Sequence, residues 1–110
     1  AAAMAEGGVA VFQTGAPFFQ AEELRETHHL LAEAFPRTGT YLTAVPTYTG
    51  GFMALTWAGK ALSLGETDET VLRRRADAAG LRTDHYTPAV HRAAFALPPW
   101  VARIIGGAAG

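Results

Sequence analysis

The sequence predicts an α/β fold, the second half of an open sheet, and three observations point there. A short apolar run, Val9-Ala10-Val11-Phe12-Gln13, precedes an amphipathic helical stretch from Ala21 to Ala34. Two further strand-like runs, Thr40 to Val45 and Phe52 to Ala58, flank a Pro-Thr-Tyr corner with two adjacent glycines. Strand, helix, strand, loop and antiparallel strand, in that order, is the pattern such a half-sheet gives. With 110 residues, 49% of them apolar, the chain has material for one small domain and no second.

Each element has a local reason. The opening AAAMAEGG reads as the tail of a helix over Ala1 to Ala5, closed by glycine at Gly7 or Gly8. Val9 to Gln13 is apolar without alternation, as expected of a central strand covered on both faces in a parallel or mixed sheet. Thr14 to Gln20, with Gly15 and Pro17, is a loop. The helix that follows places Leu24, His28, Leu31 and Phe35 on one stripe and stops at Pro36. The strands around the Pro46 to Gly51 corner pair antiparallel across a loop of roughly hairpin length. From Glu66 to Ala79 a second helix carries Glu66, Asp68 and Glu69 in its first turn and Arg73, Arg74 and Arg75 later, matching the helix dipole, before Gly80 ends it. Thr83 to Tyr86 reads as a final short strand. Pro88 then opens the helical PAVHRAAFAL, Pro98-Pro99 separates it from a last turn, WVARII, and the terminal GGAAG is frayed. If Val9 to Gln13 is central, its other neighbour comes from residues outside this sequence, leaving an apolar edge open to association.

Composition excludes several function classes. Nine basic against ten acidic side chains give no field to gather nucleic acid or anionic lipid. Three adjacent arginines on a helix point in different directions and form a solvated face rather than a nucleic-acid patch. There is no cysteine, hence no disulfide and no Cys-ligated zinc. No run is long and apolar enough to span a membrane, and the expectation is a soluble cytoplasmic protein. His28 and His29 diverge by about 100° on a helix, and His85 and His91 lack a ligand partner at a recognised spacing, so no metal is expected. Ser63 is the only serine and lacks a nucleophile elbow. Gly50-Gly51 is not followed by a helix N-terminus that would cradle a phosphate, so its plainer role is a tight turn. Tyr48, a phenol on a stiff corner between two strands, is the candidate functional residue, with an ordinary packed loop tyrosine as the alternative.

Three stretches carry a resemblance: GGVAVFQTGAPFFQAEEL, YLTAVPTYTGGFMALTWA and HYTPAVHRAAFALPPWV. In sequence and order they resemble the C-terminal part of the polyamine aminopropyltransferases, the spermidine synthase family, from about Glu6 to Val101. The resemblance implies an α/β fold specified as the C-terminal half of a Rossmann-like sheet of the S-adenosylmethionine-dependent methyltransferase type, with a closing antiparallel strand pair. Residues 1–110 would then be the end of a catalytic domain whose N-terminal β domain and nucleoside-binding half lie upstream.

The implied reaction moves an aminopropyl group from decarboxylated S-adenosylmethionine, a co-substrate rather than a cofactor, to putrescine, giving spermidine and methylthioadenosine. No cofactor or metal is implied, because the sulfonium already makes its neighbouring carbon electrophilic. A protonated amine cannot attack, so the site needs a proton acceptor, in the family an aspartate upstream of the strand matching Val9 to Gln13. Asp68, Asp77 and Asp84 fall in other regions, so no catalytic residue is expected in this chain and the isolated fragment is expected to be inactive. By the same resemblance Tyr48 binds the diamine, Met53 lines the slot for its methylene chain and Gln13 sits near the site. Pro46, Gly50 and Gly51 shape the corner, and Thr49 replaces an aromatic or proline of many relatives. Dimers or tetramers are common in the family, so a homo-oligomer is expected. The alternative is a noncatalytic module that associates with an aminopropyltransferase-like subunit through its open strand edge.

Overall fold

A computed structural model describes residues 4–48 and 50–106. Its elements are β1 (Val9–Gly15), α1 (Ala21–Ala34), β2 (Arg37–Ala44), β3 (Phe52–Gly59), α2 (Glu69–Ala78), α3 (Pro88–Ala94) and α4 (Pro99–Ile104). The sheet order is β1-β3-β2, and β3 is antiparallel to both neighbours. β1 and β2 therefore run the same way, and their carboxyl ends emerge on one side of the molecule.

Among the described residues β3 lies in the middle of the three strands and β1 pairs on one side only, leaving the open apolar edge expected of Val9 to Gln13 if its other neighbour comes from residues outside this sequence. Val11 and Phe12 are 47% and 42% exposed, so the run is not covered on both faces. A continuous apolar run records that both faces of a strand are apolar, not which neighbours are present to cover them. The strand-like reading of Thr40 to Val45 and Phe52 to Ala58 holds, with β2 beginning three residues earlier, at Arg37, and an unbroken antiparallel register from Arg37↔Gly59 to Ala44↔Phe52.

α1 covers one face of the sheet. Leu24, at the heart of its apolar stripe, is fully buried with Ala54, Val101 and Ile104, and Leu42 and Leu97 pack around them. Truncating such a side chain typically costs about 2–5 kcal/mol. Beneath α1 the same face carries a polar seam, with Thr14, Thr40 and Thr56 buried, one from each strand. Thr14 Oγ1 donates to the Ala54 carbonyl (3.0 Å), Thr56 Oγ1 to Thr14 Oγ1 (3.1 Å), and Thr40 and Thr56 hydroxyls bond at 3.1 Å. The Ala54 carbonyl only accepts and each hydroxyl has one proton, so Thr40 donates to Thr56 and His28 Nδ1, 3.4 Å from Thr40 Oγ1, carries the proton it gives.

The opposite face holds Trp57 and Tyr41. Gly39 lies directly across from Trp57, and a Cβ there would fall 2.6 Å from Nε1 of the indole, so the ring occupies the space a side chain would need.

Four expectations change elsewhere along the chain. α2 begins at Glu69, with Asp68 as its N-cap, because Ser63 to Glu66 form a turn. It ends as expected at Gly80 (φ +66°), where the amides of Gly80 and Leu81 close back on Asp77 and Ala76 in a Schellman motif. Thr83 to Tyr86 is not a strand: Thr83 Oγ1 donates to the Tyr86 carbonyl, closing a local loop with no partner strand among the described residues. α3 stops at Ala94, short of the expected Leu97, as Phe95 caps it. Met4 and Ala5 are not helical, and the rest of the expected N-terminal helix tail, Ala1 to Ala3, lies outside the described residues, as do Thr49 and residues 107–110 of the expected frayed end.

Candidate functional site

Tyr48 sits in the turn between β2 and β3, and the turn is closed by its own backbone. The Tyr48 amide donates to the Val45 carbonyl (2.9 Å), the Gly51 amide to the Tyr48 carbonyl (3.0 Å) and the Val45 amide to the Gly51 carbonyl (2.8 Å). Pro46 occupies the first central position of the Val45 to Tyr48 turn, where its fixed φ is favoured. Gly50 and Gly51 have φ of +88° and +76°, the left-handed region that other residues rarely adopt. The phenol therefore projects from a short corner, and it is 45% exposed.

Across from that corner lies the loop joining β1 to α1. β1 ends in a register shift between Gln13 and Gly15, and Gly15 has φ +100°. The chain then turns at Ala16, whose carbonyl accepts the amides of Phe19 (3.1 Å) and Gln20 (2.8 Å). Because β1 and β2 run in the same direction, this loop and the Tyr48 turn meet at one end of the sheet. Between them is a pocket of about 500 Å³, lined by Ala16, Phe19, Gln20, Thr47, Tyr48 and Met53.

Two of the expected substrate-binding residues, Tyr48 and Met53, thus share one pocket. Gln13 is not among its lining residues; it is exposed on β1 opposite Leu55. Phe19 and Gln20 were not singled out in the sequence. The available signal was the aromatic pair Phe18-Phe19 in a loop otherwise marked by Gly15 and Pro17. Their rings stand edge to face at 5.0 Å and Phe18 also meets Trp100 at 6.3 Å, all three being exposed.

A larger cleft, of about 600 Å³, opens between β2 and α3 and is lined by Tyr41, Phe52, Val90, His91 and Phe95 among others. Its lining is mostly apolar, and Tyr86 and His91 there are engaged with each other. His91 Nε2 faces the Leu64 carbonyl (3.5 Å), which only accepts, so Nδ1 accepts from the Tyr86 hydroxyl (2.9 Å). His91 is a packed, hydrogen-bonded residue near the chain end, as its lack of ligand spacing suggested. Burial pushes the Tyr41 phenol above its ordinary pKa, leaving it neutral across the physiological range. The Tyr48 pocket, which gathers two of the expected residues, is the candidate site despite its smaller volume.

Among the described residues no group of three His, Cys, Asp or Glu side chains is placed to hold a metal ion, and no helix is long and apolar enough to cross a membrane. The arginine run lies on the surface of α2, where Arg73 pairs with Glu69 one turn away at 3.6 Å.

The sequence model of the spermine/spermidine synthase domain matches residues 1–68, which include β1, α1, β2, the Tyr48 turn and β3. The chain belongs to the spermine/spermidine synthase domain family. Its relatives include a polyamine aminopropyltransferase of Ruegeria sp., 44% identical over 104 residues, and one of Salmonella paratyphi B, 40% identical over 95. These alignments cover 94% and 86% of this chain but 37% and 33% of the relatives, so the chain spans about a third of their length. Among solved structures, the spermidine synthase of Thermotoga maritima superimposes with a TM-score of 0.77 at 28% identity, over 92% of this chain and 35% of that one. A spermidine synthase in complex with the transition-state analogue AdoDATO gives 0.78 at 28% identity, over 92% and 33%. The family match and the pocket thus fall on the same stretch of this spermine/spermidine synthase domain.

Proposed function

We propose that this chain is the C-terminal portion of the catalytic domain of a polyamine aminopropyltransferase and forms one wall of its amine site. In this reading β1, β3 and β2 are the closing end of a Rossmann-like sheet whose remaining strands, together with the nucleoside-binding turn and the catalytic aspartate, are supplied by upstream residues of a longer protein. The observation that carries it is the convergence of Tyr48 and Met53 on one pocket at the carboxyl ends of two co-directional strands, the place where open α/β sheets bind ligands.

The chemistry follows from the lining. The acceptor is a diamine such as putrescine: an apolar methylene chain with a charged nitrogen at each end. Phe19, Met53 and the ring of Tyr48 offer apolar walls to the chain, while the Tyr48 hydroxyl offers a hydrogen bond to the nitrogen or to the carboxylate beside it. Once the upstream base has taken a proton, the amine lone pair attacks the aminopropyl carbon attached to sulfur. The carbon–sulfur bond breaks, its electron pair stays on sulfur, and neutral methylthioadenosine leaves. The work of these residues is to hold the lone pair in line with that bond. Gln13, on the exposed side of β1, faces the region that upstream residues would cover.

Incubated alone with putrescine and decarboxylated S-adenosylmethionine, this chain should release no methylthioadenosine. In the longer protein, Tyr48→Phe should lower kcat/KM for the amine by roughly 10- to 100-fold, the equivalent of a hydrogen bond to a charged group. Unaltered amine kinetics would sink the assignment. The open edge of β1, with Val11 and Phe12 exposed, favours a second reading, a noncatalytic module docked on an aminopropyltransferase-like subunit. Mixing this chain with a separately produced upstream half separates the two, since restored turnover supports the enzyme and tight binding without turnover supports the module.

A further inference from the structure

We infer that Gln20 is a positioning residue of the amine site, clamping the β1–α1 loop so that the Phe19 ring stands as the wall facing Tyr48. The inference rests on the proposed function and adds to it a residue that does not contact the reacting atoms.

Gln20 occupies the N-cap position of α1, yet its side chain makes no cap hydrogen bond to the helix. At most helix starts a capping side chain turns forward onto the second or third amide. Here it turns back: Gln20 Oε1 accepts the Ala16 amide at 2.8 Å, and the Gln20 backbone amide donates to the Ala16 carbonyl at 2.8 Å. Ala16 is held by Gln20 at both of its polar groups, and it is only 9% exposed. Without that side chain, a nearly buried amide would have no partner. The second arm of Gln20 is also engaged, with Nε2 donating to Glu23 Oε2 at 3.2 Å, which anchors the amide plane to the first turn of α1.

Two glycines show that the space around the clamp is reserved. A Cβ on Gly15 would fall 2.9 Å from Gln20 Cβ and 3.0 Å from Oε1, so the folded-back glutamine requires the bare backbone there. A Cβ on Gly50 would lie 3.4 Å from Phe19 Cε2, which places the Phe19 ring against the turn that carries Tyr48. The clamp therefore acts through Ala16 and Phe19 on the width of the slot. An error in that width misplaces the amine, and small misplacements of a nucleophile are costly.

The test is a reciprocal exchange in the longer protein. Gln20→Ala should raise KM for the diamine roughly tenfold while kcat and the KM for the sulfonium co-substrate change less than about twofold. The double variant Gln20→Glu with Glu23→Gln keeps an acceptor for the Ala16 amide and restores the second bond with its direction reversed, so it should return the amine KM to within about twofold of the starting value. In this chain by itself, amide exchange at Ala16 should accelerate in Gln20→Ala and recover in the double variant. An unchanged amine KM in Gln20→Ala, or a double variant no better than Gln20→Ala, overturns the inference. If the unsubstituted protein turns over no amine, the site reading itself fails, and the Ala16 exchange rate alone decides whether the clamp exists.

Discussion

His28 is the side chain whose charge the fold resists most clearly. It is half-buried under α1, with Nδ1 turned to the Thr40 hydroxyl, and burial first, then His29 beside it, holds its pKa below the ordinary 6.5. The unfolded chain binds that proton more readily than the folded one, so ν in the unfolded state exceeds ν in the native state just below pH 6.5. Stability from this group is thus complete above about pH 6.5 and is lost as pH falls through and below it. Urea midpoints measured from pH 7.5 to 5 should decline, and His28→Gln should flatten the decline; an equal slope in both would show that other groups dominate. At the same scale, the turn that carries Tyr48 was legible in the sequence, because a Pro-Thr-Tyr corner followed by two glycines marks a tight bend. Gln20 was not, because a polar side chain in a loop gives no hint that it will fold backwards onto Ala16.

Among the elements, the β2–β3 pair was the easiest to read: two β-rich runs around glycine and proline punctuation have few alternatives. β1 was read correctly as a strand with an apolar edge left open in this chain, since apolarity on both faces marks the environment a strand is suited to rather than the neighbours present to cover it. The Thr83 to Tyr86 strand failed because these four residues settle into a loop held by the Thr83 hydroxyl instead of pairing with a strand. Gly39 stands inside β2, where glycine ordinarily weakens a strand, and its role emerges only once β3 is laid beside it and the Trp57 indole fills the space above. Gly39→Ala should therefore destabilise by about 1–3 kcal/mol through overpacking, against the usual gain expected for glycine to alanine in a strand. Denaturation midpoints decide it, and a neutral result would mean that the indole has room to move.

For the molecule as a whole, the exposed β1 edge sets how it behaves in isolation. A strand with free amides and carbonyls and with Val11 and Phe12 exposed invites pairing with another chain. The chain alone should self-associate at high micromolar concentration, and Phe12→Lys should shift sedimentation towards monomer; a monomer at all concentrations would rule this out. The threonine seam beneath α1 has a different consequence. Because each hydroxyl passes its proton onward to the next, from Thr40 through Thr56 and Thr14 to the Ala54 carbonyl, the three strands share a single one-way circuit rather than three independent bonds. Tolerance to change there follows connectivity instead of volume. Serine at any of the three keeps the circuit, whereas one isosteric valine cuts it and strands the neighbours. A lineage replacing these threonines with aliphatic residues would meet its steepest penalty at the first step.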